Sequence, residues 1–144
     1  MHAMVLKRSG GPLEWTELPD REPAAGEIRA RVSACGVCRT DLHVLDGDLP
    51  DTVLPVVPGH EIVGRIDALG QGVQGLHLGQ RVGIPWLGHT CGQCRYCLGL
   101  QENLCERPQF TGCTRDGGYA TSVIADARFA FALGEQGDDT ALAP

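Results

Sequence analysis

"EIRARVSACGVCRTDLH", residues 27–43, changes character in its middle. Its first eight residues alternate Ile28, Ala30, Val32 and Ala34 with Arg29, Arg31 and Ser33, the period of a strand with one face on a core. From Cys35 the alternation stops, and residues 38–46 have the length and composition of a short helix. The nine residues 35–43 hold two cysteines, an arginine, a threonine, an aspartate and a histidine. A C-x-x-C pair serves as a redox dithiol, as half of a zinc site, or as two unrelated thiols of which one does chemistry.

The rest of the chain extends the β reading. Residues 60–69, 80–84 and 119–133 read as further strands, the last as two separated near Asp126. Residues 3–7 and 13–18 flank the turn Gly10-Gly11-Pro12 as an opening hairpin. Twenty glycines and nine prolines interrupt nearly every stretch that could form a long helix, leaving 38–46 and the segment 94–104 as helical candidates. Short strands joined by glycine turns predict a mainly β domain, a closed or partly open barrel.

Charge and composition exclude several classes. The 144 residues suit one domain, and the net charge is -6, with one lysine (Lys7) and eleven arginines scattered along the chain. No basic stripe tracks a phosphate backbone, so nucleic acid is not the expected partner. No apolar run reaches the ~20 residues of a membrane span, and the N-terminal stretch has no apolar signal core; the expected compartment is the cytoplasm. Cytosolic thiols are kept reduced, so seven cysteines point to metal ligation or catalysis.

"CGQCRYCLGLQENLC" sets Cys91, Cys94, Cys97 and Cys105 at spacings of three, three and eight. Thiolates so spaced close a tetrahedral shell around one zinc, and a four-sulfur shell has no open position, so this zinc is structural. Ferredoxin-type runs differ in spacing and have a proline after the last cysteine, where Glu106 stands here. A second set, Cys38 in the opening stretch with His60 and Glu61 in "VPGHEIVG", mixes sulfur, nitrogen and oxygen without completing a shell. An incomplete set is what a catalytic zinc requires.

The stretches "CGVCRTDLH" and "GHE", followed by the four-cysteine lobe, resemble the zinc-dependent medium-chain alcohol dehydrogenases over essentially all 144 residues. The resemblance implies a GroES-like, partly open β-barrel with short helices and a zinc-binding lobe, the catalytic half of an enzyme whose Rossmann half binds NAD or NADP. By it, Cys38 and His60 are catalytic zinc ligands, Glu61 is a carboxylate able to approach the metal, and Cys35 has no ligand role. Thr40 accepts the alcohol proton, His43 passes it on through the cofactor ribose, and Asp41 orients the histidine ligand. Arg39 faces the cofactor pyrophosphate, and Leu49 and Trp86 line the substrate pocket. Small alcohols or aldehydes are the implied substrates, and homo-oligomers the implied assembly of the full-length enzyme.

Two expectations follow from where the chain departs from that family. Its third catalytic ligand, a further cysteine, falls after "TALAP", and Cys113 does not match it; the chain is expected to be the catalytic domain without its nucleotide half and inactive alone. "GQGVQG", 70–75, matches G-x-G-x-x-G, but a strand and no helix follows, so it is read as a turn. Three other readings stay open at this level. They are a zinc-stabilised GroES-like binding module without activity, a thiol-redox dithiol at Cys35 and Cys38, and a related zinc reductase or polyol dehydrogenase.

Overall fold

The alternating stretch at 27–34 lies in an interior strand, paired on both sides, of the computed structural model, which describes residues 1–143; the terminal Pro144 lies outside the described residues. In chain order the elements are β1 (His2–Leu6), β2 (Leu13–Glu17), β3 (Glu27–Gly36), α1 (Arg39–Asp46), β4 (Glu61–Leu69), β5 (Arg81–Ile84), β6 (Leu87–His89), α2 (Arg95–Leu98), β7 (Gln109–Phe110), β8 (Ser122–Asp126) and β9 (Phe131–Ala132). Single 3-10 turns cover Glu102–Leu104, Ala127–Phe129 and Asp139–Ala141.

Five strands form one antiparallel sheet in the order β8-β3-β4-β5-β9, with β1-β2 and β6-β7 as separate two-stranded ribbons. Among the described residues β8 and β9 are unpaired edges, so the barrel is open. The core follows from the alternation: Ile28 and Ala30 are fully buried and pack with Ile62, Ile66, Val82, Ile84 and Val123. Each large aliphatic side chain removed from water there contributes about 1.5–3 kcal/mol. Past Val32 the pattern blurs, because irregularities at Arg29/Ala30 and Val32/Ala34 shift the β3-β4 register and turn the later side chains off the core face.

Several element boundaries move relative to the expectations. The 119–133 run yields the five-residue β8 and the two-residue β9, separated by the turn Ala127–Phe129 that Asp126 caps. The 94–104 segment forms one helical turn, Arg95–Leu98, and one 3-10 turn, because the four cysteines draw the chain back on itself. The 70–75 motif is a turn between β4 and β5 with no helix after it. No helix among the described residues is long and apolar enough to cross a membrane.

Asp126 joins the sheet to the cysteine lobe. It accepts the Arg128 amide at 3.0 Å and the Arg128 guanidinium at 2.6 Å, and lies 2.7 Å from His89 Nδ1. Burial works against its charge, but the Arg128 guanidinium and amide and the His89 contact outweigh it and hold the carboxyl down at about 2, against 3.8 for a free aspartate. A carboxylate depressed in this way stabilises the fold above its unfolded pKa and loses that contribution as pH falls from about 3.8 toward 2, a contribution of about 2 kcal/mol at neutral pH. Asp126→Asn is therefore expected to cost about that much in urea unfolding at pH 7, with the difference from the unsubstituted chain closing as pH falls below 3. A gap that stays constant with pH would contradict the assignment.

Candidate metal centres

The four-cysteine lobe is held at its base by β6 and β7, and Arg128 donates to the Thr90 carbonyl at 3.2 Å. Within it, Cys105 Sγ lies 3.5 Å from Cys91 Sγ, Cys94 Sγ 3.6 Å from Cys97 Sγ, and Cys91 Sγ 4.0 Å from Cys97 Sγ. Four sulfurs at ~2.3 Å around one ion stand about 3.8 Å apart, whereas a disulfide needs ~2.05 Å. All seven cysteines are free thiols, and these four have the spacing of a zinc shell. Backbone amides of Cys91 and Arg107 donate to Cys105 Sγ from 3.3 and 3.4 Å. Backbone amides of Gln93 and Cys94 draw the Cys91 thiol down, while burial pushes Cys97 up.

The second set forms where α1 begins and the chain enters β4. Cys38 is the N-cap of α1: its sulfur accepts from the Thr40 amide at 3.3 Å, and its own amide donates to Asp41 Oδ2 at 3.0 Å, a reciprocal capping box. Cys38 Sγ stands 3.1 Å from His60 Nε2, and on the far side of the ring His60 Nδ1 lies 3.4 Å from Asp41 Oδ1. That Nδ1 is the buried side-chain nitrogen without a hydrogen-bond partner among the described residues. The imidazole is thus aimed, with one nitrogen toward the thiol and the other backed by a carboxylate, the orientation a ligating histidine takes. Burial opposes the charged forms of all three groups, but polar contacts win: Thr40 and then His60 lower Cys38, His60 and the Cys38 amide lower Asp41, and Asp41 and then Cys38 raise His60.

Gly59 makes this approach possible. It has φ +96°, and a Cβ there would meet the Tyr119 ring at 2.6 Å and Cys35 Sγ at 2.9 Å. Its amide donates to Asp41 Oδ1 at 3.1 Å, which fixes the carboxylate against His60.

Cys38, Asp41 and His60 come together as one possible ligand group. Glu61, adjacent to His60 in sequence, stands outside it. It opens β4, and its carboxylate lies against Gly36. An open cavity of about 440 Å³ connects the two, lined by Cys35, Gly36, Cys38, Glu61, Thr140 and Ala143 among others. Thr40 and His43 sit three residues apart on α1, hence on one helix face, with His43 Nδ1 2.9 Å from Asp48 Oδ2. Arg39 is exposed. Trp86 places its ring edge on His60, with centroids 4.9 Å apart, stacks on Phe110, and with Leu49 packs against the Leu6, Val44 and Val56 cluster. Cys113 is buried in the same cluster, 3.4 Å from Thr52 Oγ1 and away from the metal-type groups. The sequence reading did not single out Phe110, Tyr119, or the Thr140 and Ala143 wall. A further cavity of about 760 Å³ lies by Arg21, Gln74 and His89 and contains none of the candidate catalytic residues.

The open barrel thus carries a closed four-thiol cluster with zinc spacing and a separate, open cysteine–histidine pair. A family model described as the alcohol dehydrogenase GroES-like domain matches residues 24–135, and the chain belongs to that family. It is 45% identical over 153 residues to a probable alcohol dehydrogenase, AdhA, of Mycobacterium tuberculosis, covering 100% of this chain and 44% of that protein. An alcohol dehydrogenase of Geobacillus stearothermophilus is 48% identical over 130 residues, 90% of this chain and 39% of that protein. The cobalt- and zinc-bound thermostable alcohol dehydrogenase of Pyrobaculum aerophilum superposes with a TM-score of 0.88 at 29% identity, over 99% of this chain and 44% of that one. The chain thus spans about two fifths of the length of these relatives.

Proposed function

We propose that this domain, residues 1–144, is the zinc-bearing, substrate-side half of an alcohol dehydrogenase. In this reading a small alcohol is oxidised to an aldehyde or ketone, and hydride passes to NAD or NADP held by a separate nucleotide-binding domain. The observation that carries the reading is the pairing of Cys38 Sγ and His60 Nε2 at 3.1 Å, open to a cavity on one side and backed by Asp41 on the other. Cys38 and His60 would hold the catalytic zinc, and Cys91, Cys94, Cys97 and Cys105 the structural one. When bound at the open site, zinc supplies the Lewis acidity that lowers the pKa of an alcohol hydroxyl.

The remaining roles belong to the chain's own side chains. Asp41 keeps the His60 ring oriented with Nε2 toward Cys38. Thr40 would take the alcohol proton, and His43, half exposed and oriented by Asp48 through Nδ1, would pass it outward, with the bound cofactor's ribose on that side. Arg39, exposed at the start of α1, would hold the cofactor pyrophosphate. Leu49 and Trp86 form an apolar wall that excludes water from the substrate, and Glu61 stands on the cavity wall as a carboxylate able to approach the metal. Homo-oligomeric assembly of the full-length enzyme and a cytoplasmic setting, the latter supported by seven free thiols, belong to the same reading, with neither nucleic acid nor membrane as a partner.

The decisive experiment grafts this chain in place of the matching segment of the Geobacillus stearothermophilus enzyme. Alcohol oxidation by the zinc-loaded chimera with NAD or NADP is expected, and a folded chimera without turnover with either would overturn the reading. The 144-residue chain by itself is expected to be inactive and to retain about one tightly held zinc after dialysis. Two equally tight zinc ions would contradict the assignment of an incomplete second site.

A further inference from the structure

Arg81 is a buried arginine, 3% exposed, at the start of β5, and the roles above do not use it. Its guanidinium makes four hydrogen bonds, all to one irregular stretch. Nε donates to the Gly134 carbonyl at 2.7 Å, Nη2 to Gln136 at 2.6 Å, and Nη1 to Gly137 at 2.9 Å and Asp139 Oδ1 at 2.7 Å. A segment without a ladder must find partners for its carbonyls, and a planar fork of five donors meets several at once where an ammonium cannot. Arg65, the cross-strand neighbour of Arg81, adds an exposed pair to Glu135 at 2.8 Å.

The clamped stretch leads directly to the candidate site. Asp139 begins the 3-10 turn Asp139–Ala141 and is paired to Arg81 at 2.7 Å. Beyond the turn, the Ala143 carbonyl crosses β3 at Gly36 so closely that a Cβ on Gly36 would overlap it and the Glu61 carboxylate. Thr140 and Ala143 then form the wall of the cavity that holds Cys38 and Glu61.

We propose that Arg81 is a positioning residue for the Cys38–His60 site: by clamping 134–139 it seats Thr140 and Ala143 as the wall that encloses Cys38. The functional part of this inference rests on the alcohol dehydrogenase reading. Arg81→Lys keeps the charge and loses the fork; Asp139→Ala removes one anchor at a less buried position and guards against misfolding of the first variant. In the 144-residue chain, freed of loosely held metal, both are expected to speed hydrogen exchange of amides in 134–143 about tenfold and iodoacetamide alkylation of Cys38 about fivefold. Protection of Cys97 by zinc in the lobe should not change. In the chimera, kcat is expected to fall between about tenfold and a hundredfold, the range for residues that orient a metal site from behind. Unchanged Cys38 alkylation and unchanged kcat in both variants, or full rescue by lysine, would overturn the proposal. Full activity of a Cys38→Ser chimera would instead overturn the alcohol dehydrogenase reading, leaving the exchange and alkylation results to decide the role of Arg81.

Discussion

Cys97→Ser is expected to remove the tightly held zinc and melt the lobe from Cys91 to Cys105 while the five-stranded sheet persists. The lobe has almost nothing else to hold it. Leu98, Leu100 and Leu104 are exposed, and among the four cysteines only Cys97 and Cys105 are buried. A segment with so little buried apolar surface does not offset the entropy of ordering its backbone, about 1–2 kcal/mol per residue, so ligand bonds must supply the difference. Structural zinc provides on the order of 10 kcal/mol in small zinc-dependent folds. The sheet has its own core in Ile28, Ile62, Ile66 and Val82, and Arg128 and Asp126 tie only the base of the lobe to it. Hydrogen exchange read peptide by peptide should therefore show loss of protection in 91–105 and retention in β3 and β4. Global unfolding on loss of the metal would mean that the lobe is part of the barrel's cooperative unit, and unchanged protection would mean that no metal sits there.

Parts of this architecture were legible because their signals are local. The alternation at 27–34 needs no partner to be read, and the spacing of Cys91, Cys94, Cys97 and Cys105 states its own geometry. What was not legible depends on residues far apart in the chain. The stretch 134–143 has neither helical nor strand period, and its place is set by Arg81, 53 to 58 residues upstream of its partners. Asp41 illustrates a second limit. Its position three residues after Cys38 was readable, but its two oxygens serve two purposes at once: one caps α1, and the other holds the Gly59 amide against His60. Adjacency in sequence puts Glu61 beside His60, whereas the ligand atoms grouped in the fold are those of Cys38, Asp41 and His60, and the Glu61 carboxylate lies against Gly36.

The two cysteines of C-x-x-C are expected to separate completely under mutation. Cys35 lies in β3 with its sulfur packed toward Gly59 and Gly118, and burial pushes its thiol up to about 12, so it is a neutral apolar filler at physiological pH. Cys35→Ala should leave zinc content unchanged and alter kcat/KM of the chimera by no more than about threefold. Cys38 occupies the opposite environment, where Thr40, through its side chain and its amide, and His60 favour the thiolate against the cost of burial. Cys38→Ala confounds two losses, since removing an N-cap costs about 1 kcal/mol in its own right. Cys38→Ser separates them: serine is a preferred N-cap and can accept the Thr40 amide, so α1 and its capping box survive while the soft sulfur ligand is gone. A fall in kcat/KM of about a thousandfold or more, equivalent to about 4 kcal/mol of transition-state stabilisation, is expected for Cys38→Ser with the melting temperature within a few degrees of the parent chimera. Comparable losses in Cys35→Ala and Cys38→Ser would instead favour a dithiol. Activity retained in both would remove the cysteine pair from the chemistry and leave a zinc-stapled binding module. The two outcomes differ because only one sulfur of the pair faces His60, and that geometry is set by the break from strand to helix between Gly36 and Arg39.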